Sequence, residues 1–296
     1  MSTHGDASTP LTLTVLLEPW RPHPLAWIHR GEGREVAGEL RRAGHAVRVA
    51  RFRAGSAAAL PAGPLLLRLS DPVMLAAVGA LTRAGIPFIG PSAAVMARCY
   101  DKYEAHRIAI GNGVDCPPTA LGSTADGMPF PLIVKPRRGS DSIGLRLASG
   151  RLPARAKNDR YLVQERVLGS ELTVAVVDGR VGAPLRLDLP EGVLYTFARK
   201  YLLRPRRSPV ADAALSERAR STARTIAAMF GVNWAARVDL IHETATGRLR
   251  FLECDVAPLV GPRSAFAASL AAAGVERAEQ LRLLLESDGA PRSSSA

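Results

Sequence analysis

At 296 residues, 47% of them hydrophobic and 22% charged, the chain is long enough for two or three domains around a sizeable core and too apolar for a disordered one. No apolar run reaches the roughly 18 residues of a membrane span, and Met1 to Pro10 has neither the basic nor the apolar region of a signal peptide, so a cytoplasmic protein with no membrane partner is expected. The net charge of +12 would suit nucleic acid, but the basic residues are scattered and carry no interleaved aromatics for base stacking, so nucleic acid is disfavoured as a partner.

Residues 11–18 read as a first strand, followed by a loop rich in Pro, Trp and His. Arg34 to Ala43 has helical spacing at Val36 and Leu40, and Gly44 suits a helix stop. Ala46 to Phe52 and Leu65 to Leu69 read as strands, separated by a small, Pro/Gly-punctuated stretch. Asp71-Pro72 suits a helix start, with the helix running to about Arg83, and Ile86 to Ile89 is a fourth strand. This alternation predicts a small parallel α/β domain ending near Gly90-Pro91. Asp101 to Ile110 reads as a helix. Strands are expected over 129–136, 145–147 and 161–167, and a hairpin over 171–187 around Asp178-Gly179. Residues 191–209 look irregular and basic, and Asp212 to Met229 is the longest helix candidate. Helices are expected at about 264–273 and 276–286, before a frayed tail.

Arg237-Val238-Asp239-Leu240 and Phe251-Leu252-Glu253-Cys254-Asp255 flank a Thr/Gly turn and predict a β-hairpin. Alternation puts Arg237 and Asp239 on one face and Glu253 and Asp255 on one face, so three carboxylates and a guanidinium would converge. Hard oxygen ligands of this kind suit Mg²⁺ better than Zn²⁺, although a solvated turn with surface charges reads as well from the hairpin alone. Only four of the 39 basic residues are lysines: Lys102, Lys135, Lys157 and Lys200. A lysine is a compact point charge suited to single phosphate oxygens. Lys135 ends an apolar strand before a Gly/Ser loop whose N–H groups could hold phosphate, or which could be a plain turn. The spacing is neither that of a P-loop nor that of a dinucleotide fingerprint. Cys99, Cys116 and Cys254 have no metal-type spacing and read as free thiols.

Taken in order, the segments from about Asp101 to Leu285 resemble the ATP-grasp superfamily and, within it, the D-alanine–D-alanine ligases. The resemblance implies an α/β (α+β) ATP-grasp fold in three domains, 1–98, 99–168 and 169–287, with 288–296 a flexible tail and ATP held between the second and third. It implies phosphate contacts for Lys102, Lys135 and Lys200, and a phosphate-covering loop at Ser140, Asp141 and Ser142. An adenine-binding hinge falls at Gln164, Glu165, Arg166 and Val167, with Glu171 on the ribose. Lys200-Tyr201 resembles the pair in the loop that closes over the reaction centre, which makes 191–209 a candidate lid. Arg237 matches the catalytic arginine. Asp239, Glu253 and Asp255 match the metal motif, implying Mg²⁺, two ions, with Mn²⁺ as a substitute. Glu32 and Glu35 stand near the acid that orients the first amino acid, and Ser264, beside Arg263, near the position for the second one's carboxylate.

Two positions depart from the family pattern: Asp255 replaces its Asn, and Leu259 replaces the Gly that follows Pro258. The stretch from Leu65 to Arg98 is also short for a D-alanine ligase and looks more like the glutamate-adding branch. The implied activity is an ADP-forming ligase that activates a carboxylate as an acyl phosphate for attack by an amine. Its expected substrates are small and amino-acid-like, in cell-wall or antibiotic biosynthesis, with intramolecular cyclisation as a variant, and its expected state is a monomer or homodimer. The alternatives are ligation to a peptide or protein terminus and a nucleotide-binding module without catalysis.

Overall fold

The computed structural model describes residues 10–53, 55 and 60–287. The expected polar start, most of the small-residue stretch after Arg53 and the tail from 288 therefore lie outside the described residues.

The first sheet is parallel, as alternating strands and helices predict. Strands β1 (Thr12–Leu17), β2 (Ala46–Arg51), β3 (Leu65–Arg68) and β4 (Phe88–Ile89) take the order β2-β1-β3-β4, with helices α1 (Pro24–Arg42) and α2 (Asp71–Arg83) in the crossovers. Helix α1 starts at Pro24 rather than Arg34, so the Pro/Trp/His stretch is not all loop. The His23 ring accepts from Leu25 N, and Pro24 fills the first position, where no N–H is needed. Gly31 and Gly33 mask the helix in the sequence. At Gly33 the missing side chain is required, because a Cβ there would lie 2.4 Å from Leu17 Cδ2.

Two helices follow, α3 (Ala93–Tyr100) and α4 (Lys102–Gly111). Helix α3 was not expected from the sequence. Ser92 caps it by accepting from Val95 N, and Val95, Met96 and Cys99 form its buried face. A second sheet, antiparallel, comprises β5 (Thr119–Leu121), β6 (Leu132–Pro136), β7 (Arg146–Ala148) and β8 (Tyr161–Glu165) in the order β5-β8-β6-β7. The third sheet contains β9 (Gly169–Val177), β10 (Arg180–Val181), β11 (Leu185–Leu187), β12 (Arg207–Pro209), β13 (Ala235–Glu243) and β14 (Leu249–Asp255), in the order β12-β11-β9-β13-β14 with β10 on β9. The expected strand over 181–187 is split at Gly182, where a Cβ would strike Ser269 Oγ at 2.3 Å. Residues 191–209 are not wholly irregular, since they hold a π-helical turn, Arg199–Leu203, and β12. Helices α5 (Ala213–Phe230), α6 (Ala265–Ala272) and α7 (Arg277–Glu286) complete the order.

The first and third sheets share their cores. Leu16, Leu65 and Leu67 pack in one cluster with Val174, Val238 and Phe251, bridged by side chains of α2 and α3. On the other face Val15 and Leu17 join Val177, Trp234 and Phe266. Each such side chain contributes roughly 1.5–3 kcal/mol when fully buried. The second sheet has a smaller core of its own, centred on Leu132, Val134 and Val163. One polar link reinforces the shared core. The fully buried Arg68 donates from Nε (3.0 Å) and Nη2 (3.0 Å) to Glu32, and to Pro258 O at 2.8 Å. Glu32 in turn accepts from Val260 N at 2.7 Å and Gly261 N at 2.8 Å.

Candidate active site

Antiparallel strands β13 and β14 pair Arg237 with Asp255 and Asp239 with Glu253, so the four side chains converge as the alternation requires. The register shifts just beyond them. Leu240 faces Phe251, which leaves Leu252 as the extra residue of a bulge. His106, buried on α4, sits 3.0 Å from Leu252 O and secures the bulge. Burial, reinforced by Lys135, pushes His106 down to about 3, so the ring is neutral and its Nε2–H donates. Nothing in the sequence marks His106 beyond its place on a helix.

Arg237 is the centre of the hairpin face. It donates through Nε (3.0 Å) and Nη2 (2.9 Å) to Asp239, and lies 3.3 Å from Asp255 and 3.8 Å from Glu253. Thr173 Oγ1 donates to Asp239 at 2.6 Å, and Ala257 N to Asp255 at 3.1 Å. Lys102 lies 3.4 Å from Glu253 and donates to Gly139 O. Burial raises Glu253, but Lys102, Arg237, Lys135 and Lys200 outweigh it and hold the carboxyl near 2. Asp255 differs, since burial outweighs Arg237 and raises it. Among the described residues no three His, Cys, Asp or Glu side chains are set as a metal cage. Asp239, Glu253 and Asp255 instead converge on one guanidinium, which offsets their charge.

Two cavities meet at this face. The larger, about 190 Å³, lies between the second and third sheets. Lys102, Lys135, Ser140, Ser142, Gln164, Glu165, Arg166, Val167, Glu171, Lys200, Arg237, Asp239 and Glu253 all line it, so most of the residues singled out in the sequence come together. Gln164 turns inward, with its amide donating to Thr119 Oγ1 at 2.8 Å and accepting from Lys135 at 3.2 Å. Burial holds Lys135 down at about 8. Glu171 has no partner among the described residues; burial, with Asp239 and Glu253, pushes it up to about 7. The smaller cavity, about 40 Å³, is lined by Asp141 and Asp255, by Leu259, and by His29 and Asp71 from the first sheet's helices. Lys102, Gly139, Ser140, Lys200, Arg237 and Glu253 border both.

The loop after β6 is strained. Asp141 and Ser142 take φ of 57° and 58°, in the left-handed region that side chains avoid. Lys200 and Tyr201, from the π-helical turn, both donate to Asp141 and hold the loop there. Burial opposes ionisation of Asp141, but Lys200 dominates and keeps it near 2. Asp101 fixes the other end, accepting from Arg137 Nε at 2.8 Å and Arg138 Nη2 at 3.0 Å.

Four expected substrate residues sit elsewhere. Glu32 is committed to Arg68 and two backbone N–H groups, and Glu35 pairs with the exposed Arg263 at 3.2 Å. Ser264 caps α6 by accepting from Ala267 N. None of the four borders either cavity. Glu32 lies midway along α1, on the face turned to Arg68.

Residues 119–286, more than half of the chain, match the family model described as the D-ala D-ala ligase C-terminus. The chain belongs to the D-alanine–D-alanine ligase family. A D-alanine–D-alanine ligase of Ectopseudomonas mendocina is 30% identical over 228 residues, 71% of this chain and 72% of the relative. That of Stutzerimonas stutzeri is 29% identical over 215 residues, 67% and 68% of the two chains. The fold is shared with the Bacillus anthracis D-alanine–D-alanine ligase complexed with ATP, at a TM-score of 0.77 and 17% identity, covering 94% and 97% of the two chains. It is also shared with the VanG D-Ala:D-Ser ligase of Enterococcus faecalis, at 0.74 and 16%, covering 93% and 98%. The fold is thus ATP-grasp, and the chain is an ATP-dependent, ADP-forming carboxylate–amine ligase. No helix among the described residues is long and apolar enough to cross a membrane.

The larger cavity fits a magnesium nucleotide. Ser140 Oγ is buried without a partner, a donor available to an anion. Lys102 and Lys135 border the same space. Mg²⁺ is commonly held by one or two carboxylates together with substrate phosphates rather than by an all-protein cage, which suits Asp239 and Glu253 as they stand.

Proposed function

We propose that the chain joins two small amino acids, activating the carboxylate of one with ATP and delivering the amine of the other. D-alanine, named for the curated relatives, is the first candidate for both. The observation that carries this reading is the shared border. One set of residues (Lys102, Ser140, Lys200, Arg237, Glu253) faces the larger, cation-rich cavity on one side and a compact cavity on the other.

In this reading Glu165 to Val167 hold the adenine edge, and Glu171 takes the ribose hydroxyls. Lys102, Lys135, Lys200 and the loop at Ser140 to Ser142 hold the phosphates. Asp239 and Glu253, with Asp255, would hold Mg²⁺, which when bound offsets charge on the transferring phosphoryl group. Arg237 stabilises the negative oxygens of the activated carboxylate and then the oxyanion formed on amine attack. Lys200 and Tyr201, tied to Asp141, keep the lid over the reaction centre, so that water does not intercept the acyl phosphate. The chemistry needs positioning and charge balance rather than a nucleophilic side chain. A compact second cavity favours free amino acids over a peptide or protein terminus.

The test is ADP release with Mg²⁺ and ATP over a panel of D-alanine, D-serine, glycine and L-alanine. Amino-acid-dependent ADP release with dipeptide formation is expected. Tight ATP binding with no ADP release from any member would sink the reading.

A further inference from the structure

Residues 166–168 connect the second sheet to the third, running from the end of β8 to the start of β9. This linker is fastened to the β13–β14 hairpin. Gly169 pairs with Glu243 so closely that a Cβ there would lie 2.0 Å from His242 O, and Leu168 O accepts from Thr244 N at 3.0 Å. Thr244 also reaches the start of the lid, its Oγ1 donating to Glu191 at 2.7 Å. The linker, the hairpin turn and the root of the lid therefore meet at one junction.

Arg166 closes that junction. It is half-buried and lines the larger cavity, and among the described residues no carboxylate pairs with its guanidinium. Nη2 donates instead to Gly192 O in the lid, at 2.6 Å. A hydrogen bond from an ionised donor is stronger than one between neutral groups. Gly192 is suited to this approach on two counts. Its φ is 77°, and a Cβ there would lie 2.8 Å from Arg166 Nη2. Two and three residues on, Leu194 and Tyr195 line the larger cavity, where Arg207 Nη2 donates to Tyr195 OH at 2.7 Å. The lid thus has a root bonded to the linker and a tip, Lys200 and Tyr201, bonded to Asp141.

We propose that Arg166 is a positioning residue that clasps the root of the lid to the linker between the two sheets. Through Gly192 it keeps Leu194 and Tyr195 in the cavity wall while the tip opens and closes. The proposal rests on the ligase reading for the reaction the lid shields, but not for the clasp itself.

The experiment uses the full chain and two readouts. The first is stopped-flow dissociation of a fluorescent, non-hydrolysable ATP analogue in the presence of Mg²⁺. Arg166→Met keeps the stem and removes the donors. Gly192→Ala leaves Arg166 in place but puts a methyl group where its guanidinium lies, and Gly192 does not border the larger cavity. Each should speed dissociation about tenfold, the scale of one hydrogen bond to a charged group. The double variant should be little faster than either single one, because both break the same contact. Arg166→Lys, which retains a donor, should recover most of the wild-type rate. The second readout is dipeptide formed per ADP released with D-alanine. Water that attacks the acyl phosphate returns free amino acid and inorganic phosphate, so a loosened lid releases ADP without dipeptide. The ratio should fall at least twofold in Arg166→Met and rise again in Arg166→Lys. Wild-type dissociation in both Arg166→Met and Gly192→Ala would overturn the proposal. So would fast dissociation in Arg166→Met alone, which would make Arg166 a direct nucleotide contact, or an unchanged ratio in Arg166→Met. If wild type releases no ADP with any amino acid, the ligase reading fails and the dissociation rates decide the clasp. If dipeptide forms and the rates are unchanged, the clasp fails and the ligase reading stands.

Discussion

The two cavities that meet at the β13–β14 hairpin differ in their balance of charge. The larger is bordered by six cations, Lys102, Lys135, Arg166, Lys200, Arg207 and Arg237, against four carboxylates, Glu165, Glu171, Asp239 and Glu253. The smaller is bordered by four carboxyl groups and three cations, and burial keeps one of the four, Asp71, protonated near neutral pH. The excess of cations favours a polyanion in the larger cavity.

The sharpest way to break this comparison is at the shared border. Glu253→Gln should lower kcat/KM for ADP release about a hundredfold to a thousandfold, the scale seen when one electrostatic group of a transition-state site is removed, while circular dichroism shows an intact fold. Retention of near wild-type turnover would remove Glu253 from the chemistry. Next in size is Glu32→Gln, which leaves the buried Arg68 without its counter-charge. Its unfolding free energy should fall by about 3–5 kcal/mol in a denaturant titration, with the amino-acid KM unchanged. A raised KM instead would return Glu32 to the substrate side.

Lys200→Ala frees Asp141 and unties the lid from the strained loop. Turnover should fall by roughly tenfold to a hundredfold with a smaller change in ATP affinity, as read by steady-state kinetics beside direct nucleotide binding. Equal effects on both would make Lys200 a simple nucleotide contact. A gentler probe is pH. Lys135 is protonated below about 8 and loses its charge above it, because burial lowers its value. Affinity for the ATP analogue should fall as pH rises through 8, and Lys135→Arg should flatten that fall.

The smallest effect concerns Asp71, whose carboxyl lies near 8 when folded rather than in the ordinary carboxylate range. Between those values the folded chain keeps a proton that the unfolded chain has released, so stability falls as pH rises from about 4 to 8. Asp71→Asn removes that loss. Its Tm should exceed wild type at pH 8 and converge with it near pH 4. A lower Tm at pH 8 would mean that Asp71 has a structural partner.

The larger cavity was far more legible in the sequence than the smaller. The hairpin register follows from period-two alternation, and the scarcity of lysine marked four residues, of which Lys102, Lys135 and Lys200, the three the family resemblance selects, reach the cavities while Lys157 pairs with Asp126 at the surface. The smaller cavity is built from parts whose meaning is not local. Asp71 sits at the first position of a helix, and in sequence it reads as the residue that starts that helix. Its lack of a partner appears only when Ser70, Glu18 and Arg21 are seen to satisfy one another beside it. His29 lies in a helix masked by Pro24, Gly31 and Gly33, and helix α3 escaped because it is short and lacks a long apolar period.

The distribution of core packing has a mechanical consequence. The first and third sheets are welded through two common clusters and the Arg68–Glu32 link, whereas the β5-β8-β6-β7 sheet is held by a small cluster of its own. Thermal opening should concentrate in that small sheet. Its amides, such as those of Val134 and Val163, should exchange with deuterium well before those of Val174 and Val238, and saturating nucleotide should slow them selectively. The roof of the larger cavity would then act as the shutter of the enzyme, and the floor, together with the smaller cavity, as its frame.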